Sequence, residues 1–208
     1  MRGVVVTSAR GLKPTVHGVG FTDALTSTGV GRKTSYYVWK GMLKRCYVRE
    51  QRSVAYVGCS VCPEWLFYSA FDTWFEKYRV PGHHLDKDIL VSGNKEYGPH
   101  TCCFVPIALN SLLTSRQNQR GAWPQGVDHM RRSNGSYRFR ASLNYDGVQR
   151  NLGEFLTPEL AAAAYVEAKA ERIHDVAWDY YNANLITLPV RDALLRIARD
   201  RSFIQDGV

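Results

Sequence analysis

The stretch Tyr137-Arg138-Phe139-Arg140-Ala141-Ser142-Leu143-Asn144-Tyr145-Asp146-Gly147-Val148 decides what kind of fold this chain makes. Tyr137, Phe139, Ala141 and Leu143 alternate with Arg138, Arg140, Ser142 and Asn144, the period of two that a half-buried strand requires. Asp146-Gly147 follows, and because both residues tolerate positive φ the dipeptide predicts a tight hairpin turn. Residues 148–155 then return as a strand. Gly126-Val127-Asp128-His129-Met130 reads as an earlier strand, separated by the turn Ser133-Asn134-Gly135-Ser136. Thr157-Pro158-Glu159 opens a helix: Thr157 caps it, Pro158 suits its first position and Glu159 favours the dipole. The helix, residues 159 to about 181, carries Ala161, Ala164 and Ala168 on one face, small enough to lie close against a sheet. A last amphipathic helix is predicted over 189–203, with Leu194, Leu195 and Ile197 opposite Arg191, Arg196, Arg199 and Arg201. The fold class is therefore α+β, with a three-stranded antiparallel sheet packed on one helix at its C-terminal end.

Upstream, the pattern changes. Trp39, Met42, Leu43, Cys46 and Tyr47 recur at three- and four-residue steps over 36–50, while Lys40, Lys44, Arg45 and Arg49 fill the other side. This is an amphipathic helix with a basic face, either simply solvated or in contact with phosphates. Pro63-Glu64 opens a second helix whose aromatic stripe, Trp65, Phe67, Phe71, Trp74 and Phe75, reads as core. Next come two apolar runs flanking a turn. His83-His84-Leu85-Asp86-Lys87-Asp88-Ile89-Leu90 and Thr101-Cys102-Cys103-Phe104-Val105 read as strands around Gly93-Asn94-Lys95, and 107–116 reads as a helix. Residues 1–34 form an arm with little core of its own, with Val4–Val6 a short strand, a structured turn at Gly18-Val19-Gly20-Phe21-Thr22-Asp23 and a linker from Gly29. The predicted organisation is an arm (1–34), a strand–strand–helix module (35–118), a sheet module (124–182) and a C-terminal helix (183–208).

The chain has 208 residues, 45% of them hydrophobic and 22% charged, the balance of an ordinary globular protein. Its net charge of +8 is less ordinary and points to a polyanion partner, nucleic acid first. No run approaches the ~18 apolar residues that span a bilayer, and the N-terminus lacks a secretory pattern. A cytoplasmic protein is expected, with Cys46, Cys59, Cys62, Cys102 and Cys103 as reduced thiols or metal ligands.

The sheet module resembles the APETALA2-type DNA-binding domain of plant ethylene-response factors and many phage endonucleases. The likeness rests on Gly126-Val127, Tyr137-Arg138-Phe139-Arg140-Ala141, and Asn151-Leu152-Gly153-Glu154-Phe155-Leu156-Thr157-Pro158-Glu159 with Ala161–Ala164 and Tyr165. It implies double-stranded DNA as partner and a sheet whose exposed face enters the major groove, with Arg131, Arg132, Arg138, Arg140, Asn144 and Asn151 as DNA-contacting residues. The module before it resembles the ββα-metal site of HNH endonucleases, as found in phage homing enzymes. Asp86 stands at the family's aspartate, Pro99-His100-Thr101-Cys102 at its Pro-Glu-Asn-Leu and Asn110 at its last helix position. Lys87 occupies the place of the catalytic histidine. The phage subset also shares the Trp39-to-Cys46 helix, Glu64-Trp65 and the Leu85-to-Leu90 run. That resemblance implies phosphodiester hydrolysis with Mg²⁺ or Mn²⁺, in the cytoplasm of a phage's host, and neither a membrane nor a small-molecule substrate.

Chemistry leaves three outcomes open at this stretch. An ammonium near its usual pKa of ~10.4 neither accepts a proton from water nor binds a metal, and the flanking carboxylates favour its charged form. On a continuous strand His84, Asp86 and Asp88 share a face. His84 then serves as base, with Asp86, Asp88 and Asn110 as metal ligands. The alternatives are a degenerate site that only binds DNA, with the protein acting as a regulator or blocker, and an Asp/Lys cluster that stabilises the fold. A protein–protein module acting on host machinery is a further class. Cys59-x-x-Cys62 has zinc-knuckle spacing, and a third cysteine with His83 or His100 would complete four ligands; buried thiols in a core are the alternative.

Overall fold

The computed structural model describes residues 13–23, 34–48, 50, 56–113 and 123–201. Val4–Val6, the linker at 29–33, Arg49, and the ends of the helices predicted to 116 and 203 lie outside them. The elements run α1 (Thr34–Tyr47), β1 (Ser60–Val61), a 3₁₀ turn (Pro63–Leu66), α2 (Tyr68–Tyr78), β2 (His83–Asp86), β3 (Glu96–Tyr97), β4 (Cys103–Pro106) and α3 (Ile107–Leu113). The sheet module supplies β5 (Val127–Arg131), β6 (Tyr137–Tyr145), β7 (Val148–Phe155), α4 (Pro158–Asn182) and α5 (Leu188–Arg199). The fold is α+β. β2 pairs with β4, which runs straight into α3, giving the predicted strand–strand–helix order. None of the described helices is long and apolar enough to cross a membrane.

The chain divides into two compact units, 1–81 with 85–104 and 82–84 with 105–208. In the first, Trp39, Met42, Leu43 and Cys46 of α1 are buried against Trp65, Tyr68, Phe71 and Phe75. The predicted aromatic stripe is core, with Trp65 edge-on to Phe71 at 5.1 Å and Trp74 stacked on Phe104 at 5.4 Å. The second predicted helix does not run unbroken from Pro63. Phe67 is extended (φ −91°, ψ 124°) between the 3₁₀ turn and α2, because it bridges to Phe21 and stacks on that ring at 4.8 Å.

Residues 13–23 do more than the arm expected there. Val16 is buried in the core, and Phe21 both donates to the Leu66 carbonyl and accepts from the Tyr68 amide. Asp23 accepts from the Ser69 amide at 3.0 Å in the first turn of α2. Gly20 lies flush on α1, where an added Cβ would sit 2.5 Å from Leu43 Cδ1.

The second unit builds the sheet in the order β5-β6-β7, antiparallel throughout. Asp146 and Gly147 both have positive φ (53° and 74°), as the hairpin requires. Val127, Ala141 and Ala161 are the small buried residues where α4 meets the sheet. Thr157 caps α4 by accepting from the Leu160 amide at 3.3 Å, with Pro158 in the first turn. Further along, Ile173, Val176 and Ala177 of α4 and Val190, Leu194 and Ile197 of α5 are buried.

Candidate nucleic-acid interface

Residues directly opposite in an antiparallel ladder project from the same face, so the register sorts the sheet. Arg138 faces Met130, and Arg140 faces Asp128 on one side and Glu154 on the other. Ser142 faces Asn151, and Asn144 faces Gln149. These nine residues form the face away from the buried Ala141 and Leu143. Of the six expected DNA-contacting residues, Arg138, Arg140, Asn144 and Asn151 share this face. Arg132 follows β5 and reaches it through an ion pair to Glu154. Arg131 does not share it: it opposes Tyr137, which puts it with His129 and Phe139 on the other side.

A bulge at Ala141/Ser142 lets Asn151 pair with Ser142 while Gly153 pairs with Ala141, leaving Leu152 as the extra residue. Asn151 Oδ1 accepts from the Gly153 amide at 3.0 Å across that bulge. Its carbonyl is thereby used, and its NH₂ remains as a donor on the face.

Two acidic residues, which alternation alone does not flag, temper the basic character of this face. Arg140 pairs with Asp128 at 3.4 Å, and Arg132 with Glu154. Arg140 Nε is buried without a hydrogen-bond partner. Arg138 donates to its neighbour's carbonyl, that of Tyr137, at 3.1 Å and has no carboxylate partner among the described residues. Three guanidinium groups against two carboxylates leave one net positive charge here. Exposed pairs of this kind are worth about 0–1 kcal/mol, so they are exchangeable for other partners. The basic face of α1 is likewise narrower than expected. Lys40 and Lys44 are exposed, but Arg45 lies over the rings of Tyr56 and Tyr97 and donates to the Tyr97 hydroxyl at 3.3 Å.

At the Asp86 stretch, β2 ends where the sequence suggested it would continue. Asp86 Oδ1 accepts from the amides of Asp88 (2.8 Å) and Ile89 (2.9 Å), turning the backbone out of the strand. Asp88 therefore does not alternate with His84 and Asp86 along a strand, and the shared face expected for the three is not formed. Burial raises the Asp86 pKa, partly offset by those two amides. The Lys87 side chain is buried, its ammonium donating to Asp88 and to the Asn94 carbonyl (3.2 Å) and lying over the Tyr97 ring. Burial pulls its pKa down, but the bond to Asp88 and the charges of Asp88, Cys59 and Asp86 outweigh that and hold it above the ordinary lysine value. Asn94 completes the loop, donating to the Lys87 and Glu96 carbonyls at 2.8 and 2.7 Å.

Lys87 is thus a charged structural cation and no proton acceptor. Asp86 Oδ1 and Asp88 Oδ1, expected as metal-ligating oxygens, are already engaged with this loop. His84 is exposed on β2, and Asn110 lies on α3. Among the described residues no three of His, Cys, Asp and Glu are grouped so as to hold a metal ion.

The cysteines are core residues. Cys59, Cys62 and Cys102 are buried and Cys103 half-buried. Burial pushes the Cys62 thiol up to about 11 and Cys102 up to about 12. His83, weighed as a fourth ligand, has Nε2 at 2.9 Å from the Leu185 carbonyl, within the second unit. His100 is exposed. No family model, curated protein or solved structure matches the chain.

Proposed function

We propose that the protein binds duplex DNA through the exposed face of β5-β6-β7. The observation that supports this reading is the register that sets Arg138, Arg140, Ser142, Asn144, Gln149 and Asn151 on one face. The major groove admits a two-stranded β-ribbon, and β6 with β7 offers one. It would present guanidinium forks for guanine edges or phosphates, and the Asn151 NH₂ and Asn144 amide for base acceptors. The Arg138 guanidinium, with no carboxylate among the described residues to compete for it, is the first contact; Arg140 and Arg132 exchange exposed ion pairs for DNA. The net charge of +8 supplies the attraction that brings the partners together.

Cleavage is not part of this reading, because the lysine at the place of the base is held charged and one oxygen each of Asp86 and Asp88 serves their own loop. The protein acts as a binder or blocker on DNA. Mobility shifts with duplex DNA test this. At about 1–3 kcal/mol for each arginine contact, Arg138→Ala with Arg140→Ala is expected to weaken binding by at least tenfold. Binding unchanged in that double variant would remove the sheet from the interface. Supercoiled plasmid incubated with the full chain and Mg²⁺ or Mn²⁺ is expected to stay intact. Metal-dependent nicking that disappears in His84→Ala would instead restore catalysis with His84 as base.

A further inference from the structure

We propose that His17, Lys40 and Lys44 form a phosphate-binding site in the first unit, separate from the sheet. His17 sits in the turn Val16-His17-Gly18-Val19, closed by the Val19 amide donating to the Val16 carbonyl at 3.1 Å. Both central residues have positive φ, 52° for His17 and 75° for Gly18. Outside glycine that conformation is uncommon, though Asn, Asp and His adopt it more often than other residues, and residues held there cluster at binding sites. The ring's Nε2 is buried and has no hydrogen-bond partner among the described residues, so it is the kind of polar atom that a ligand group satisfies.

The fit of Gly20 on α1 fixes what surrounds this imidazole. An added Cβ there would lie 2.5 Å from Leu43 and 2.8 Å from Trp39, so the turn rests against that part of the helix. Lys40 and Lys44, each one residue further on and one helical turn apart, carry the charges that act on His17. Burial first, and then these two ammonium groups, hold its pKa below the ordinary value. Both lysines are exposed and have no carboxylate partner among the described residues. Among the described residues, two cations without a carboxylate partner beside a ring nitrogen without a hydrogen-bond partner give this surface a positive potential and no acceptor. A phosphate group supplies several acceptor oxygens and one to two negative charges, enough to engage the imidazole and both ammonium groups together. A backbone phosphate of nucleic acid and free inorganic phosphate offer the same chemistry.

The first arm of the test follows the His17 ring resonances of the full chain by NMR, adding sodium phosphate against sodium chloride at matched ionic strength. A saturable shift in the wild type, lost in Lys40→Gln/Lys44→Gln, is expected. No shift in the wild type, or an equal shift in the double variant, overturns the site. His17→Asn keeps a residue suited to positive φ and removes the imidazole; it should fold and lose the rise in Tm that phosphate gives the wild type. A rise of the same size in that variant also overturns the proposal. The second arm measures the salt dependence of duplex DNA binding. Loss of two backbone contacts flattens the slope of log K against log salt by about 1.8 in Lys40→Gln/Lys44→Gln. That result names nucleic acid as the source, whereas an unchanged slope with the phosphate response intact names free phosphate. Should the wild type bind no DNA, the reading of the sheet fails while the first arm still decides this site.

Discussion

At the scale of single residues, Lys87 carries the most information. It stands at a position where the resemblance calls for a histidine, and its ammonium is buried between Asp88, the Asn94 carbonyl and the Tyr97 ring. Lys87→Met leaves Asp88 and that carbonyl without their cation and is expected to cost the first unit about 3 kcal/mol, measured by urea unfolding. The sign of its pH dependence follows from the direction of the shift. The folded pKa is raised, so the lysine's contribution is complete below the unfolded value of about 10.4 and declines as pH rises through the folded one. The gap in stability between wild type and Lys87→Met should therefore hold at pH 7 and shrink above pH ~10.5. A gap that widens with pH would show that Lys87 is buried neutral. Sequence alone indicated that flanking carboxylates favour a charged lysine. It did not show that Asp86 would cap its own loop, because an Asx turn and a continuing strand start from the same residues and differ only in where two amides point.

At the scale of elements, the sheet module was the most legible part of the chain. A period of two, an Asp-Gly turn and a Thr-Pro-Glu helix start each admit one local solution, and all agree. Less legible was the close approach of α4 to the start of β5. Gly126 has φ of 75°, and a Cβ there would lie 2.0 Å from Tyr165 Cδ2. Gly126→Ala is expected to destabilise the second unit by about 3 kcal/mol, from overpacking and the left-handed backbone together. Circular dichroism melts check this, and a Tm equal to wild type would mean that the ring moves aside at little cost. The acidic partners of Arg132 and Arg140 were hidden for another reason. Asp128 and Glu154 become neighbours of β6 only once register is set, and the bulge at Ala141/Ser142 shifts β7 by one residue in a way that alternation cannot foresee. Neutralising both as Asp128→Asn/Glu154→Gln should raise duplex affinity severalfold and steepen its salt dependence, read by the same mobility shifts. Unchanged affinity would show that neither carboxylate competes with DNA.

At the scale of the whole molecule, the two units have separate cores, one rich in aromatics around Trp39 and Trp65, the other of small and branched residues where α4 meets the sheet and α5. Calorimetry should resolve two unfolding steps, with Lys87→Met lowering one and Gly126→Ala the other; one step shifted by both would show a single cooperative block. The change in period near residue 124 was readable, although the two units divide at 104–105. The membership of 13–23 was not, since Gly- and Thr-rich sequence gives no periodicity and its anchors, Val16 and Phe21, meet partners 20 to 50 residues away. Their placement sets a limit on trimming the protein for expression. A shortened chain that begins at residue 34 would uncover Trp39, Leu43 and Phe67 together and strip the Asp23 acceptor from α2, leaving an aromatic surface prone to aggregation. One that begins near residue 13 would keep that surface covered.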